Sequence, residues 1–180
     1  MNKKYKSYIF PLLEMSSTVY DENNVRAMPP KERLGECTRI LKNEDDESKR
    51  WDAVWLAGEI AEEIGSENPL FEEVANLMVS VLKNDNNGVV KHEACFQIAA
   101  RNMRKKIPDL VYSSLNDKSG LVKHEAIESL GLMRAFEAEE DIRPALNDPN
   151  PDVSETARFV FKRLKRFKNS KKEYVPSKIL

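Results

Sequence analysis

The chain has 180 residues, of which 41% are hydrophobic and 33% charged, and its 29 basic and 30 acidic residues leave a net charge of −1. This balance argues against nucleic-acid binding by bulk charge and against a disordered acidic chain. The sequence has no apolar run near the ~20 residues of a membrane span. Its six glycines are few for a turn-rich β fold, so we expect one helical domain.

The first segment, residues 1–38, precedes the repetitive part of the chain. It is typical of one or two irregular helices, with a linker over 20–31. Because the end of a helical stack needs a cover, we predict an N-terminal helical cap over this segment. Its apolar stretch is too short for a cleaved signal peptide. The two cysteines, Cys37 and Cys95, lack framework spacing, which favours a reduced, cytoplasmic protein.

Four copies of one pattern follow this segment. They align on the alanines at 53, 94, 126 and 157, so that successive copies are 41, 32 and 31 residues apart. After each loop, apolar residues recur three and four apart, as in Val122, Ala126 and Leu130, which predicts an amphipathic helix. Asn150 followed by Pro151 is a favourable start for the helix of the fourth copy.

A second amphipathic segment follows in the first three copies, over Phe71–Leu82, Ile107–Leu115 and Ala138–Leu146. A period near 32 residues with two helices is typical of a solenoid. We therefore predict an all-α solenoid of helix pairs over 39–168, with helices from about Asp46 to Phe167, and a basic C-terminal tail over 169–180.

The two histidines of the chain occupy the same position in consecutive copies. Both lie in Val-Lys-His-Glu-Ala, as His92-Glu93 and His124-Glu125. The other two copies carry Trp and Glu at the histidine position, so packing does not require an imidazole there. The position lies about 200° around the helix from the apolar stripe, which predicts an open face.

This arrangement predicts a metal site. Equivalent helices of adjacent repeats lie about 10 Å apart, so two imidazoles can meet at one ion. The neighbouring carboxylates would supply oxygen ligands. Two His and one carboxylate suit Fe(II) with open coordination positions, and the same residue types also suit Zn²⁺ or Mn²⁺.

The histidines share their helix faces with small and apolar residues, which we expect a ligand or a second chain to cover. Glycine in a helix interior costs about 1 kcal/mol relative to alanine, so close approach of another group would explain it. The residues concerned are Cys95, Phe96 and Ala99 beside His92, and Ile127, Glu128 and Gly131 beside His124.

Residues 84–164 resemble one half of deoxyhypusine hydroxylase, a HEAT-like repeat enzyme with a di-iron centre. The resemblance lies in the two Val-Lys-His-Glu-Ala motifs, in Glu-Ser-Leu-Gly-Leu at 128–132 and in Asp-Pro-Asn-Pro-Asp-Val-Ser-Glu-Thr-Ala at 148–157. It implies that His92, His124 and Glu125 are iron ligands. It also implies that Glu93 is the catalytic residue that binds an amine-bearing substrate and can touch the metal.

The family enzyme has four His-Glu motifs in two halves, whereas this chain has two, so the resemblance implies a di-iron centre shared by a homodimer. We therefore predict an O₂-activating monooxygenase that uses Fe(II)/Fe(III) and hydroxylates a small amine or a deoxyhypusine-like protein side chain. The expected dimer contact consists of Cys95, Phe96, Ala99, Ile127 and Gly131. The alternatives are a non-catalytic HEAT-like interaction scaffold, to which solenoid surfaces are suited, and a bilin-lyase-like repeat protein.

Overall fold

The computed structural model describes residues 20–170, and within that range every regular element is helical. Three 3₁₀ turns, at Arg104–Lys106, Phe136–Ala138 and Arg143–Asn147, supplement the α-helices. The α-helices are α1 (Glu22–Arg26), α2 (Pro30–Asn43), α3 (Glu47–Ile64), α4 (Pro69–Asn84), α5 (Gly88–Ala100), α6 (Ile107–Asn116), α7 (Gly120–Leu132) and α8 (Pro151–Ser170).

The helices form two layers of a solenoid. The first helices of the four repeats, α3, α5, α7 and α8, pack side by side, and α2, α4 and α6 pack against them. The apolar stripes predicted from the sequence form the continuous core between the layers, with Ile98 and Leu130 fully buried. The predicted all-α, HEAT-like solenoid is confirmed.

Side-chain caps begin the helices where the sequence indicates. The carboxamide of Asn87 accepts from the backbone N–H of Val89 at 2.8 Å, at the start of α5. The carboxamide of Asn150 accepts from the N–H of Asp152 at 3.0 Å, and Pro151 occupies the first turn of α8 as predicted.

A ladder of ion pairs links successive repeats at the loop edge. The basic residue before each histidine position binds the aspartate of the following loop: Arg50 Nε to Asp85 Oδ2 at 2.8 Å, Lys91 to Asp117 at 2.8 Å, and Lys123 to Asp148 at 2.9 Å. Each aspartate also accepts from a backbone N–H two residues later. The lysines that precede the two histidines therefore link successive repeats.

Two predicted boundaries differ from the structure. The boundary between 38 and 39 falls inside α2, which begins at Pro30 and packs on α3 as a complete second-layer helix. The segment 138–146 forms 3₁₀ turns and not an α-helix, because Pro144 lies inside it and can neither donate a backbone hydrogen bond nor fit the preceding helical turn.

Parts of the predicted cap and tail, at 1–19 and 171–180, lie outside the described residues. Within 20–170, no helix is both long enough and apolar enough to cross a membrane.

The predicted dimer contact is wrong in most of its residues. Cys95 and Ile127 are fully buried within the chain, and Ala99 is also buried. A Cβ atom on Gly131 would lie 2.9 Å from Cγ2 of Val160, so the group that approaches this glycine is α8 of the same chain. Glycine allows the first helices to pack closely, which explains its presence without a ligand or partner.

Candidate metal centre

The repeat geometry places each histidine position against the glutamate position of the next repeat. Between α3 and α5, the indole of Trp51 lies beside the carboxyl group of Glu93 and acts to lower its pKa. Between α5 and α7, Nε2 of His92 lies 3.1 Å from Oε2 of Glu125. Between α7 and α8, Nδ1 of His124 lies 2.6 Å from Oγ1 of Thr156. The same pairing of positions between successive repeats thus produces three different side-chain contacts.

His92 and Glu125 form the centre of this series. Glu125 is only 6% exposed, and burial, followed by the charges of Glu128 and Glu93, raises the pKa of its carboxyl to about 7. Burial and the nearby His124 lower the pKa of His92. Burial thus disfavours the charged form of each group at their 3.1 Å contact.

His124 has a polar neighbour at each ring nitrogen. With a proton on Nδ1, the ring donates to Thr156, and Nε2 then faces Oε2 of Glu128 at 3.5 Å. Donor atoms of His124, Glu125 and Glu128 lie within 4.8 Å of one another. Glu128 and Thr156 were not predicted as site residues. Glu128 follows His124 by one helical turn, and Thr156 occupies the glutamate position of the fourth copy. The sequence spacing could therefore have identified both as site residues.

Glu93 lies on the side of α5 that faces α3, whereas His92 contacts Glu125 on α7. Glu93 is 5% exposed, and its carboxylate accepts from Nε2 of Gln97 at 2.6 Å. Burial raises its pKa, while Gln97, Arg101 and Trp51 oppose the shift. The donor group of His124, Glu125 and Glu128 does not include it. His92 contacts Glu125 but, like Glu93, lies outside this donor group, so Glu125 is the residue that links the two histidines. Glu93 faces the repeat with the tryptophans.

The residues present fit a divalent metal ion. Two donors about 2.1 Å from one ion and at right angles to each other lie about 3 Å apart, as His92 Nε2 and Glu125 Oε2 do. Glu125 is a buried carboxylate whose neighbouring lysines, Lys91 and Lys123, bind aspartates instead. A cation would offset its desolvation. Glu128 is a further carboxylate in the donor group of Glu125 and His124, and its side chain is 41% exposed.

Comparison with known proteins finds similarity among solved structures. No family model matches the sequence, and no curated protein is significantly similar to it. The chain is similar to the structure of human deoxyhypusine hydroxylase in complex with glycerol, with a TM-score of 0.67 and 20% sequence identity. The match covers 81% of this chain and 48% of that one, so the chain spans about half the length of that protein. The predicted resemblance to one half of deoxyhypusine hydroxylase is thereby confirmed for the fold.

Proposed function

We propose that the protein is an iron-dependent, O₂-activating hydroxylase. The observation that supports it best is the 3.1 Å contact between His92 and Glu125, beside the group of His124, Glu125 and Glu128, in a fold similar to half of a hydroxylase. Two imidazoles and a carboxylate are the ligands of non-haem Fe(II) oxygenases. Both cysteines are free and buried, and we propose a reducing, cytoplasmic location.

His92, His124 and Glu125 would hold the iron, and Glu128 is a further oxygen donor at the exposed side. When bound, iron would supply the activation of O₂ for hydroxylation of a C–H bond: with two electrons from an external reductant and two protons, one oxygen atom would go to the substrate and the other to water. The chain's own contribution is orientation. Thr156 fixes the ring of His124 through Nδ1, and Ser129 approaches Oε1 of Glu125 at 3.4 Å.

Glu93 is the residue we propose for binding the substrate. Its carboxylate borders the partly exposed ring of Trp51, and Trp51 stacks on Trp55 with ring centroids 5.6 Å apart. A carboxylate next to an aromatic face suits an ammonium group through charge and cation–π attraction. The substrate is accordingly a small amine or an amine-bearing protein side chain.

The test is anaerobic loading of the full chain with Fe(II), followed by iron quantification and by optical spectra after addition of O₂. His92→Ala and His124→Ala should each abolish iron retention and leave the circular dichroism spectrum nearly unchanged, because both side chains lie on an open face. Glu73→Ala is the control, since Glu73 is an exposed acidic residue of α4, away from the histidine positions. This variant should retain iron at the wild-type level.

Two results would contradict the proposal. If both histidine variants bind iron like the wild type, the metal is held elsewhere. If the wild type binds no iron, the exposed apolar side chains of α5, α7 and α8 favour the second candidate, a non-catalytic interaction scaffold. A bilin-lyase-like protein would bind tetrapyrrole in place of iron.

A further inference from the structure

One buried position differs between the repeats that carry a His-Glu pair and those that do not. It lies four residues after the glutamate position, on the same side of the helix, and we call it the support position. It holds Gln97 and Ser129 in the two central repeats, and Leu56 and Val160 in the flanking ones. All four side chains are 0% exposed. The scaffold therefore accepts an apolar residue here, and the polar ones occur where a buried glutamate precedes them.

Gln97 holds the carboxylate of Glu93 inside the protein. Its Nε2 donates to Oε1 of Glu93 at 2.6 Å, in a hydrogen bond that is buried from solvent. A hydrogen bond to an ionised carboxylate is shorter and stronger than one between neutral groups, so it fixes the orientation of the carboxylate on the α3 side of α5. A carboxylate that accepts this bond keeps a second oxygen for another donor.

The glutamine destabilises the core in one respect, which argues against a role in packing alone. Its Oε1 is buried and has no hydrogen-bond partner among residues 20–170. A buried acceptor without a partner lowers the free energy of unfolding. Space for this oxygen comes from α3, where a Cβ atom on Gly58 would lie 1.8 Å from it. Leucine, the residue of the first repeat, would leave no such acceptor, so we attribute the glutamine to its bond with Glu93.

Ser129 does not hold Glu125 in the same way. Its hydroxyl donates to the backbone carbonyl of Cys95 at 3.0 Å and lies 3.4 Å from Oε1 of Glu125. A serine hydroxyl has a single proton, so Glu125 is left to contact His92 at 3.1 Å. The two glutamates share a sequence position, but a buried amide holds only Glu93.

We propose that Gln97 is a positioning residue that holds Glu93 toward Trp51, away from the candidate metal centre, for binding of an amine-bearing substrate. The bond engages one oxygen of Glu93 and leaves the other for an ammonium group beside the indole ring. The inference rests on the proposed function for the role of Glu93, but not on the identity of the metal. It also explains the unequal support positions, because the amide commits Glu93 to the substrate and the serine leaves Glu125 to the metal.

The experiment measures binding of n-butylamine to the full chain loaded with Zn²⁺, by tryptophan emission at constant ionic strength. The chain has two tryptophans, Trp51 beside Glu93 and Trp55 stacked on it, so the emission reports on this place. The wild type should show a saturable change. Gln97→Met keeps the length of the side chain and removes the amide, so the Kd for n-butylamine should rise at least about tenfold. Its affinity for Zn²⁺ should stay unchanged, because Glu93 lies outside the donor group of the candidate metal centre.

Two further variants separate positioning from packing. Glu93→Gln should abolish the saturable change, which assigns that change to the carboxylate. Leu56→Met alters the support position of the first repeat, where no glutamate precedes it, and should leave both affinities unchanged. If Gln97→Met does not fold, Gln97→Leu replaces it, since leucine is the residue of the first repeat at this position.

Equal affinity for n-butylamine in the wild type and the Gln97 variant would overturn the positioning role and leave that of Glu93 intact. Equal weakening by Leu56→Met would also overturn it, because any change in the core would then act alike. A wild type that carries Zn²⁺ but shows no saturable change overturns both this inference and the substrate role of Glu93. A wild type that holds neither Zn²⁺ nor iron counts against the proposed metal centre instead, and titration of the unloaded chain then decides the role of Gln97.

Discussion

The two central repeats and the two flanking ones are joined by the same kind of ion pair but carry different side chains at the histidine position. The ion pairs at the loop edge run from the first repeat through the third with nearly the same geometry, from Arg50–Asp85 to Lys123–Asp148. The contacts at the histidine position change at every step. The α3–α5 contact is an indole with a carboxylate, the α5–α7 contact an imidazole with a carboxylate, and the α7–α8 contact an imidazole with a hydroxyl.

The difference separates residues that hold the solenoid together from residues that the solenoid only positions. Changes in the ladder should lower the free energy of unfolding without changing the affinity for metal in the folded protein. Changes at the histidine positions should do the reverse, because these side chains lie on an open face and contribute little to the core.

The largest effect is expected for Arg50→Ala. Arg50 is buried, binds Asp85 and also donates to the backbone carbonyls of Glu44 and Asp45. Its loss leaves a buried carboxylate unpaired, which costs about 3–5 kcal/mol of the free energy of unfolding, measured by urea denaturation. The control is Lys83→Ala, which removes an exposed ion pair with Asp109 and should cost less than about 1 kcal/mol. Equal losses would contradict the structural role of the ladder.

Thr156→Val should weaken metal binding without unfolding the protein. The substitution keeps the shape of the side chain and removes the hydroxyl that orients His124. We expect the affinity for Zn²⁺ or Fe(II) to fall about 10- to 100-fold, as for other groups that orient a ligating histidine. Ser154→Ala on the same helix is the control, because Ser154 bonds only the backbone carbonyl of Pro151 among the described contacts. Unchanged affinity in Thr156→Val would contradict the role of its hydroxyl in orienting His124 for metal binding.

Gly131→Ala tests the close packing of α7 on α8. The new Cβ would lie 2.9 Å from Val160, so overpacking should exceed the gain in helix propensity and cost about 1 kcal/mol. In combination with Val160→Ala, the glycine substitution should cost less than it does alone, which a double-mutant cycle measures. Gly35→Ala in α2 is the control, because no atom lies within 4 Å of its new Cβ, and it should stabilise the protein. Equal effects at both glycines would refute the packing account.

The smallest effect concerns pH. Lys123 and the N–H of Asn150 hold the pKa of Asp148 below its ordinary value of 3.8. A carboxyl with a lowered folded-state pKa stabilises the protein above 3.8, and this contribution disappears as the pH falls through the folded value. Asp148→Asn should therefore be less stable than the wild type at pH 7, by less than about 1 kcal/mol, and the two should converge on acidification. A difference that stays constant below pH 3.8 would exclude this origin.

Much of the fold could be read from local pattern. The spacing of Val122, Ala126 and Leu130 predicted a buried stripe, and Asn150-Pro151 predicted the start of α8, because caps and helix periodicity depend on neighbours in the sequence. The segment 138–146 shows the limit of that argument. Its apolar spacing favours a helix, but the missing N–H of Pro144 prevents one.

The sequence by itself determined the repeat, the fold class and the equivalence of His92 and His124, because these follow from period and position along one chain. Only the tertiary structure decided which atoms meet. Glu125 turns toward His92 and Glu93 toward Trp51 because each first helix packs on the next with an offset that pairs a histidine position with the following glutamate position. The same packing fills the space beside Gly131 with Val160 and exposes Val89 and Leu121, since burial depends on what the neighbouring helix supplies.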